Sequence, residues 1–202
     1  MYWLRHTLLI LPKKLGDLFT EATATIGEKI VLRRQEKYTA TATSLVHTYL
    51  HGEGKIGVMI EVGASKPEAV SNPALKTFAQ DVALHIAAMN PMAISSEQIP
   101  ADVVSKEKEI LTAKNLESGK KPEMIEKIVE GQIRKFLAEN CLLDQPFVKN
   151  PDMKVSDLAK SVGKEIGADV TVKRFVRFEL GAGIEKKTND FAAEVAAQMK
   201  GH

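Results

Sequence analysis

The stretch that decides the fold is Pro100–Leu143, PADVVSKEKEILTAKNLESGKKPEMIEKIVEGQIRKFLAENCLL. Its first half, Asp102 to Glu117, carries apolar residues at helical spacing and stops at Ser118-Gly119. Pro122-Glu123 then opens a second helical run to Asn140. Glycine past the end of a helix and proline in the first turn of the next are the placements that backbone sterics favour. Met124, Ile125, Ile128, Val129, Ile133, Phe136 and Leu137 form one apolar stripe, and Val104, Ile110, Leu111 and Ala113 can face it. Two such stripes zip an antiparallel pair into a coiled-coil-like helical hairpin, here assigned to residues 100–143. Between Ala101 and Asn140 eight basic residues balance eight acids. That balance disfavours a surface for reading nucleic-acid phosphates.

Outward from this hairpin the pattern changes. Leu15, Leu18, Phe19, Ala22 and Ile26 have helical spacing, ended by Gly27. Lys29–Tyr38, Thr41–Leu50 and Lys55–Val62 read as strands, the last two joined at the turn His51-Gly52-Glu53-Gly54. Phe78, Ala79, Val82, Ala83 and Ile86 share one helical face that Asn90-Pro91 terminates. Beyond the hairpin, Ser156 is placed to cap a helix burying Leu158, Ala159, Val162 and Ile166. Val170, Val172, Val176, Phe178 and Leu180 then alternate with polar residues as in a half-buried strand. Asn189 or Asp190 can cap a closing amphipathic helix, residues 189–200, with Phe191, Val195 and Met199 on one face. The class is α+β: an antiparallel sheet packed with helices, from which the helical hairpin protrudes.

Composition bounds the function. The 202 residues are 44% apolar and 27% charged with a net charge of +2, enough for one core and uninformative about partners. A single cysteine, Cys141, excludes an internal disulfide, and no apolar run approaches the roughly 20 residues needed to cross a bilayer. A cytoplasmic protein that binds neither membrane nor nucleic acid is the expectation. Met1–Lys14 is basic, with only the short apolar run Leu8–Leu11, and reads as a non-native or poorly packed start.

The sequence offers little covalent chemistry. It has no glycine-rich phosphate loop, no His-Glu-x-x-His, no cysteine pair at metal spacing and no Gly-x-Ser-x-Gly elbow, so neither metal nor cofactor is expected. Cys141 could act as a nucleophile with His51 or His85 as base, but its apolar neighbours favour a buried structural thiol. His85 lies at the edge of an apolar helical face and reads as a satisfied core histidine. His51, at a turn beside Gly52, is not explained by packing.

Six ordered blocks carry a resemblance: Thr25–Arg34 (TIGEKIVLRR), His51–Val58 (HGEGKIGV), Val129–Phe136 (VEGQIRKF), Asp144–Val148 (DQPFV), Arg177–Lys186 (RFELGAGIEK) and Asp190–Val195 (DFAAEV). Together they resemble the elongation factor Ts family, nucleotide-exchange factors for the GTPase elongation factor Tu. The resemblance covers roughly residues 15–202 and leaves 1–14 outside it. It implies a core that docks on elongation factor Tu in its GDP-bound and nucleotide-free forms, a protruding antiparallel coiled coil, and a C-terminal helix that contacts the nucleotide-binding domain. Ile26, Gly27 and His51 fall where partner-contacting residues of the family lie, as do Asp190, Phe191 and Val195 on the last helix. Such a factor does no covalent chemistry. The family also carries a small ubiquitin-associated-like helical domain and a Thr-Asp-Phe-Val wedge, neither of which occurs in this sequence, so impaired exchange is the expectation. An alternative reading, from the apolar stripe and balanced charge alone, is a scaffold or homodimer that pairs through its hairpin.

Overall fold

The computed structural model describes residues 14–183. The helix that leads in, α1 (Leu15–Ile26), ends at Gly27, whose φ of 77° lets its N–H turn back to the Thr23 carbonyl. A three-stranded antiparallel sheet comes next, with spatial order β1 (Ser44–His51), β2 (Ile56–Ala64), β5 (Val170–Glu179). Everything from the end of β2 to the start of β5 is inserted between two neighbouring strands. That insertion holds α2 (Pro73–Met89), α3 (Ala101–Glu117), α4 (Pro122–Asn140), a small ribbon of β3 (Pro146–Phe147) with β4 (Asn150–Lys154), and α5 (Val155–Ile166).

The core lies on one face of the sheet. Val58, Ile60 and Val62 of β2 point to it, and α2 lays Leu75, Phe78, Val82 and Ile86 across them, with Val155, Ala159 and Val162 of α5 closing the side. Ile60, Leu75, Phe78 and Ile86 are essentially removed from water. Each such side chain stabilises the fold by about 1.5–3 kcal/mol relative to exposure. Asn72 caps α2 by accepting the Ala74 N–H at 2.9 Å, and Pro73 occupies its first turn. At the other end Asn90 takes a left-handed φ of 47°, and Pro91 comes directly after it.

Helices α3 and α4 fall within a residue of the runs read from sequence and join through the left-handed Gly119. Their seam, however, does not include Ile110, which is exposed, nor Met124. It runs instead through Ile125 and Val129 of α4 and through Asn115 of α3, a buried polar residue. The Asn115 amide donates to the Leu111 carbonyl and to Gln132 Oε1, both at 2.7 Å, while its oxygen accepts from Lys120. Every polar atom of that side chain is therefore partnered, which is what makes its burial tolerable. At the root, Ala93 and Cys141 form a parallel bridge, and Ala93, Ile99 and Cys141 make a second small core with Val103, Val104 and Leu137.

His85 secures that root to the sheet-covering helix. The Val148 N–H donates to its Nδ1 at 3.1 Å, so the proton sits on Nε2, which donates to Gln145 Oε1 at 2.8 Å. Gln145 in turn donates to the Glu139 carbonyl in the last turns of α4. This is the satisfied core histidine that the helical spacing implied.

Three further expectations are corrected. Lys29–Tyr38 is not a strand. It belongs to an extended strap, residues 28–43, that crosses the outer face of the sheet and is held by side chains rather than a ladder. Arg34 lies 4.9 Å over the Phe178 ring, and Tyr38 stacks 4.1 Å from the Arg174 guanidinium. Thr41 donates its N–H to Ser44 Oγ at 3.0 Å. Secondly, β5 does not keep one face throughout. A bulge opposite Glu61 and Val62 inserts Lys173, since Val62 pairs with Val172 but Glu61 with Arg174. One extra residue reverses the alternation. Phe175 therefore packs on the core, while Val176 and Phe178 turn to the strap side. Thirdly, Ser156 lies inside α5, and Lys154 stands at its cap position without a side-chain bond.

Candidate docking surface at the hairpin end of the sheet

The turn between β1 and β2 is built from three successive left-handed residues, Gly52, Glu53 and Gly54, at φ of 58°, 56° and 87°. Its bonds run from Gly54 N–H to the His51 carbonyl and from Lys55 N–H to the Gly52 carbonyl. The turn holds His51 at the last position of β1, exposed, with Tyr49 Oη 3.1 Å from its Nδ1 and the two rings stacked at 6.1 Å. Tyr49 packs on the core edge, so it presents His51 from a fixed base.

The same end of the sheet receives the end of β5 and the strap. Ile56 pairs with Glu179 and Gly57 with Phe178, and the Leu180 N–H donates to the Lys55 carbonyl at 2.7 Å. Arg33 reaches the exit of β5 as a fork, donating to the Ala182 carbonyl at 3.2 Å and the Gly183 carbonyl at 2.6 Å. The strap also folds back on α1, with the Ile30 N–H on Thr23 Oγ1 at 3.3 Å. Ile26 and Gly27 are thereby tied through the strap to the end of the sheet that carries His51. Ile26 is 61% exposed, and the space around Gly27 is open. Asp190, Phe191 and Val195 lie outside the described residues.

Leu50 and Leu180 flank this end of the sheet in the strand register. Leu50 is 63% exposed and Leu180 78%, with Val31 and Leu32 also open to solvent. Exposed aliphatic groups that gather at one place on a surface are a usual mark of a protein-binding face. Among the described residues no group of three or more His, Cys, Asp or Glu side chains is placed to hold a metal. Cys141 is fully buried, and burial, with the charges of Asp144 and Glu97 nearby, pushes its thiol up, so it stays protonated at neutral pH. Among the described residues no helix is long and apolar enough to cross a membrane.

Sequence reasoning missed the polar chain beneath the strap. Glu61 Oε2 accepts from Arg174 Nε and Oε1 from Ser44 Oγ, both at 2.7 Å. The Ser44 hydroxyl, followed by the Arg174 guanidinium, holds the Glu61 carboxyl below its usual range. The available signal was a lone acid in the apolar strand Ile56–Ala64 and a lone arginine breaking the apolar alternation of β5. A cleft of about 490 Å³ beside the C-terminal end of α5 is lined by Lys66, Lys160 and Lys164. Lys66 there donates to the Gly167 carbonyl at 2.7 Å, which accounts for a cation at a helix C-terminus.

Residues 6–182 match the family model described as Elongation factor TS. Similar curated proteins are the Elongation factor Ts of Symbiobacterium thermophilum, 45% identical over 95% of this chain and 63% of that protein, and that of Syntrophotalea carbinolica, 48% identical over 90% of this chain and 58% of that one. The Elongation factor Ts of Carboxydothermus hydrogenoformans is 43% identical over 89% of this chain and 87% of its own length. The chain thus spans about three-fifths of the first two relatives and most of the third.

Proposed function

The chain belongs to the elongation factor Ts family, and from that premise we propose that it docks on elongation factor Tu and promotes release of GDP. The observation that carries this reading is the exposed end of the sheet, where His51, Leu50 and Leu180 gather and to which the strap ties Ile26 and Gly27. A second contact is assigned to residues 189–200 through Asp190, Phe191 and Val195. The α3–α4 pair serves as a protruding coiled-coil arm.

The mechanism is linkage. A factor that binds the nucleotide-free GTPase more tightly than its GDP form must lower GDP affinity by the same ratio. A factor that binds both forms equally shifts nothing. The 202-residue chain contains no Thr-Asp-Phe-Val. Acting alone, it is expected to bind elongation factor Tu yet accelerate GDP release less than a longer family member that carries that wedge. Stopped-flow release of a fluorescent GDP, with titration calorimetry on the GDP-bound and nucleotide-free GTPase, tests both halves. Absence of binding to either form refutes the docking reading; acceleration equal to that of a wedge-bearing factor refutes the reduced exchange.

A second reading is self-association through the hairpin, favoured by the exposure of Ile110, Leu116 and Met124 along its length. Sedimentation equilibrium decides it: a monomer across the micromolar range excludes a stable dimer.

A further inference from the structure

We propose that Arg33 is a positioning residue, whose forked grip on the exit of β5 places Ile26 and Gly27 for partner binding. The inference rests on the docking reading above and adds a residue that need not touch the partner. Helix α1 has no fully buried side chain, and Leu18, Phe19, Ala22 and Thr23 are only half-buried, so among the described residues packing alone holds its C-terminal end weakly. Past Gly27 the chain is held by a series of discrete fastenings. The Ile30 N–H ties the strap to Thr23 at 3.3 Å. Three residues on, Arg33 donates from Nη1 to the Ala182 carbonyl and from Nη2 to the Gly183 carbonyl. Arg34 adds a contact over Phe178, whose strand neighbour Gly57 sits against Leu50, next to His51.

The chemistry requires arginine. Ala182 and Gly183 present two successive carbonyl oxygens, and Gly183 adopts a φ of 71°, which glycine reaches at little cost. A planar guanidinium spans such a pair with two donors held rigidly together. An ammonium on a flexible stem meets one at a time, at higher entropic cost. Among the described residues Arg33 is therefore the side chain nearest to α1 that fastens the strap to the turn after β5; Arg34 shares the Ala182 carbonyl at 3.5 Å, and Arg34 and Tyr38 continue the attachment along β5.

Thermodynamic coupling provides the test, with the full chain throughout. Binding to elongation factor Tu is measured for the parent, Arg33→Ala, Arg33→Lys, Ile26→Ala, His51→Ala and the doubles Arg33→Ala/Ile26→Ala and Arg33→Ala/His51→Ala. Arg33→Ala should weaken binding about tenfold, and Arg33→Lys should recover only part of that loss. Once Arg33 is gone, Ile26→Ala should cost little more, whereas His51→Ala should keep its full effect. Fully additive losses for Arg33 and Ile26, or a complete rescue by lysine, overturn the positioning role. Equal coupling to Ile26 and His51, together with a lowered melting temperature, would mark Arg33 as a general stability residue and also overturn it. Failure of the parent chain to bind refutes the docking reading instead, and is distinguished by that first titration.

Discussion

Replacing His85 by leucine probes the joint between the core and the helical hairpin. The substitution puts an apolar side chain of similar bulk into a fully buried position, so little cavity is created. It removes both ring nitrogens. Gln145 Oε1 is left without its donor at a residue 1% exposed, where no water reaches it. A buried acceptor stranded in this way costs about 2–3 kcal/mol. The Val148 N–H loses its acceptor too, but Val148 is 38% exposed and can turn toward water, so its share is nearer 1 kcal/mol. The sum, about 3–4 kcal/mol, is a large fraction of the 5–15 kcal/mol available to a domain. Urea unfolding followed by far-ultraviolet circular dichroism should show a lower midpoint with an unchanged slope. The melting temperature should fall by about 10 °C. Because Gln145 also binds the Glu139 carbonyl, amide exchange should rise at the end of α4. A loss below about 1 kcal/mol would count against this role for His85, since it would mean that neither partner depends on the imidazole.

Further outcomes are expected from the same bonds. Burial lowers the pKa of His85, and of His47, below the usual 6.5, so the unfolded chain takes up protons that the fold resists. Stability should be full above about pH 6.5 and decline as the pH falls below it, and His85→Leu should flatten that slope in a pH series of urea titrations. The Glu61 carboxyl is shifted the same way from 4.5, so a second loss should begin below that pH, and Glu61→Gln should reduce it. At neutral pH Glu61→Gln should itself destabilise by about 1–2 kcal/mol, because Arg174 loses its charged acceptor. Gly163→Ala would bring a methyl to 2.9 Å from the Ala168 carbonyl oxygen, which cannot retreat because the Ala168 N–H is bonded to Gly163. A cost of about 2 kcal/mol in thermal unfolding is expected, and a neutral variant would show that the α5 terminus yields easily.

Much of the fold was legible because helices announce themselves over many residues. The apolar spacing of Phe78 to Ile86 and the Gly119 and Pro122 punctuation gave α2, α3 and α4 to within a few residues at the ends read. Gly27 and the His51–Gly54 turn were equally plain, since both depend on local φ. What misled was everything set by neighbours. Lys29–Tyr38 has β-branched residues in Ile30 and Val31, as a strand would, but among the described residues the sheet consists of β1, β2 and β5, and Arg34 and Tyr38 find Phe178 and Arg174 instead. The phase of β5 hinged on a single inserted residue, Lys173, which no period-two count can anticipate. Of the candidate site, His51, Ile26 and Gly27 were identified through the family blocks, and the structure adds the strap that ties them to one end of the sheet. Arg33 was visible in the block Thr25–Arg34 only as one of its members, because its partners are backbone oxygens about 150 residues away.

The insertion between β2 and β5 has a consequence for synthesis. The β1–β2 hairpin can close as soon as it leaves the ribosome, but the central strand must then wait about a hundred residues for its second neighbour, since Ala64 pairs with Val170. Closing so long a loop is entropically slow, and an unpaired strand edge invites pairing with another chain. During that interval α2 can already cover one face of β2, while the other face and the free edge stay open until Val170–Glu179 and the strap come together. Nascent chains stalled before residue 170 should therefore be the aggregation-prone species, and the arrival of β5 is the step that makes the product safe to release.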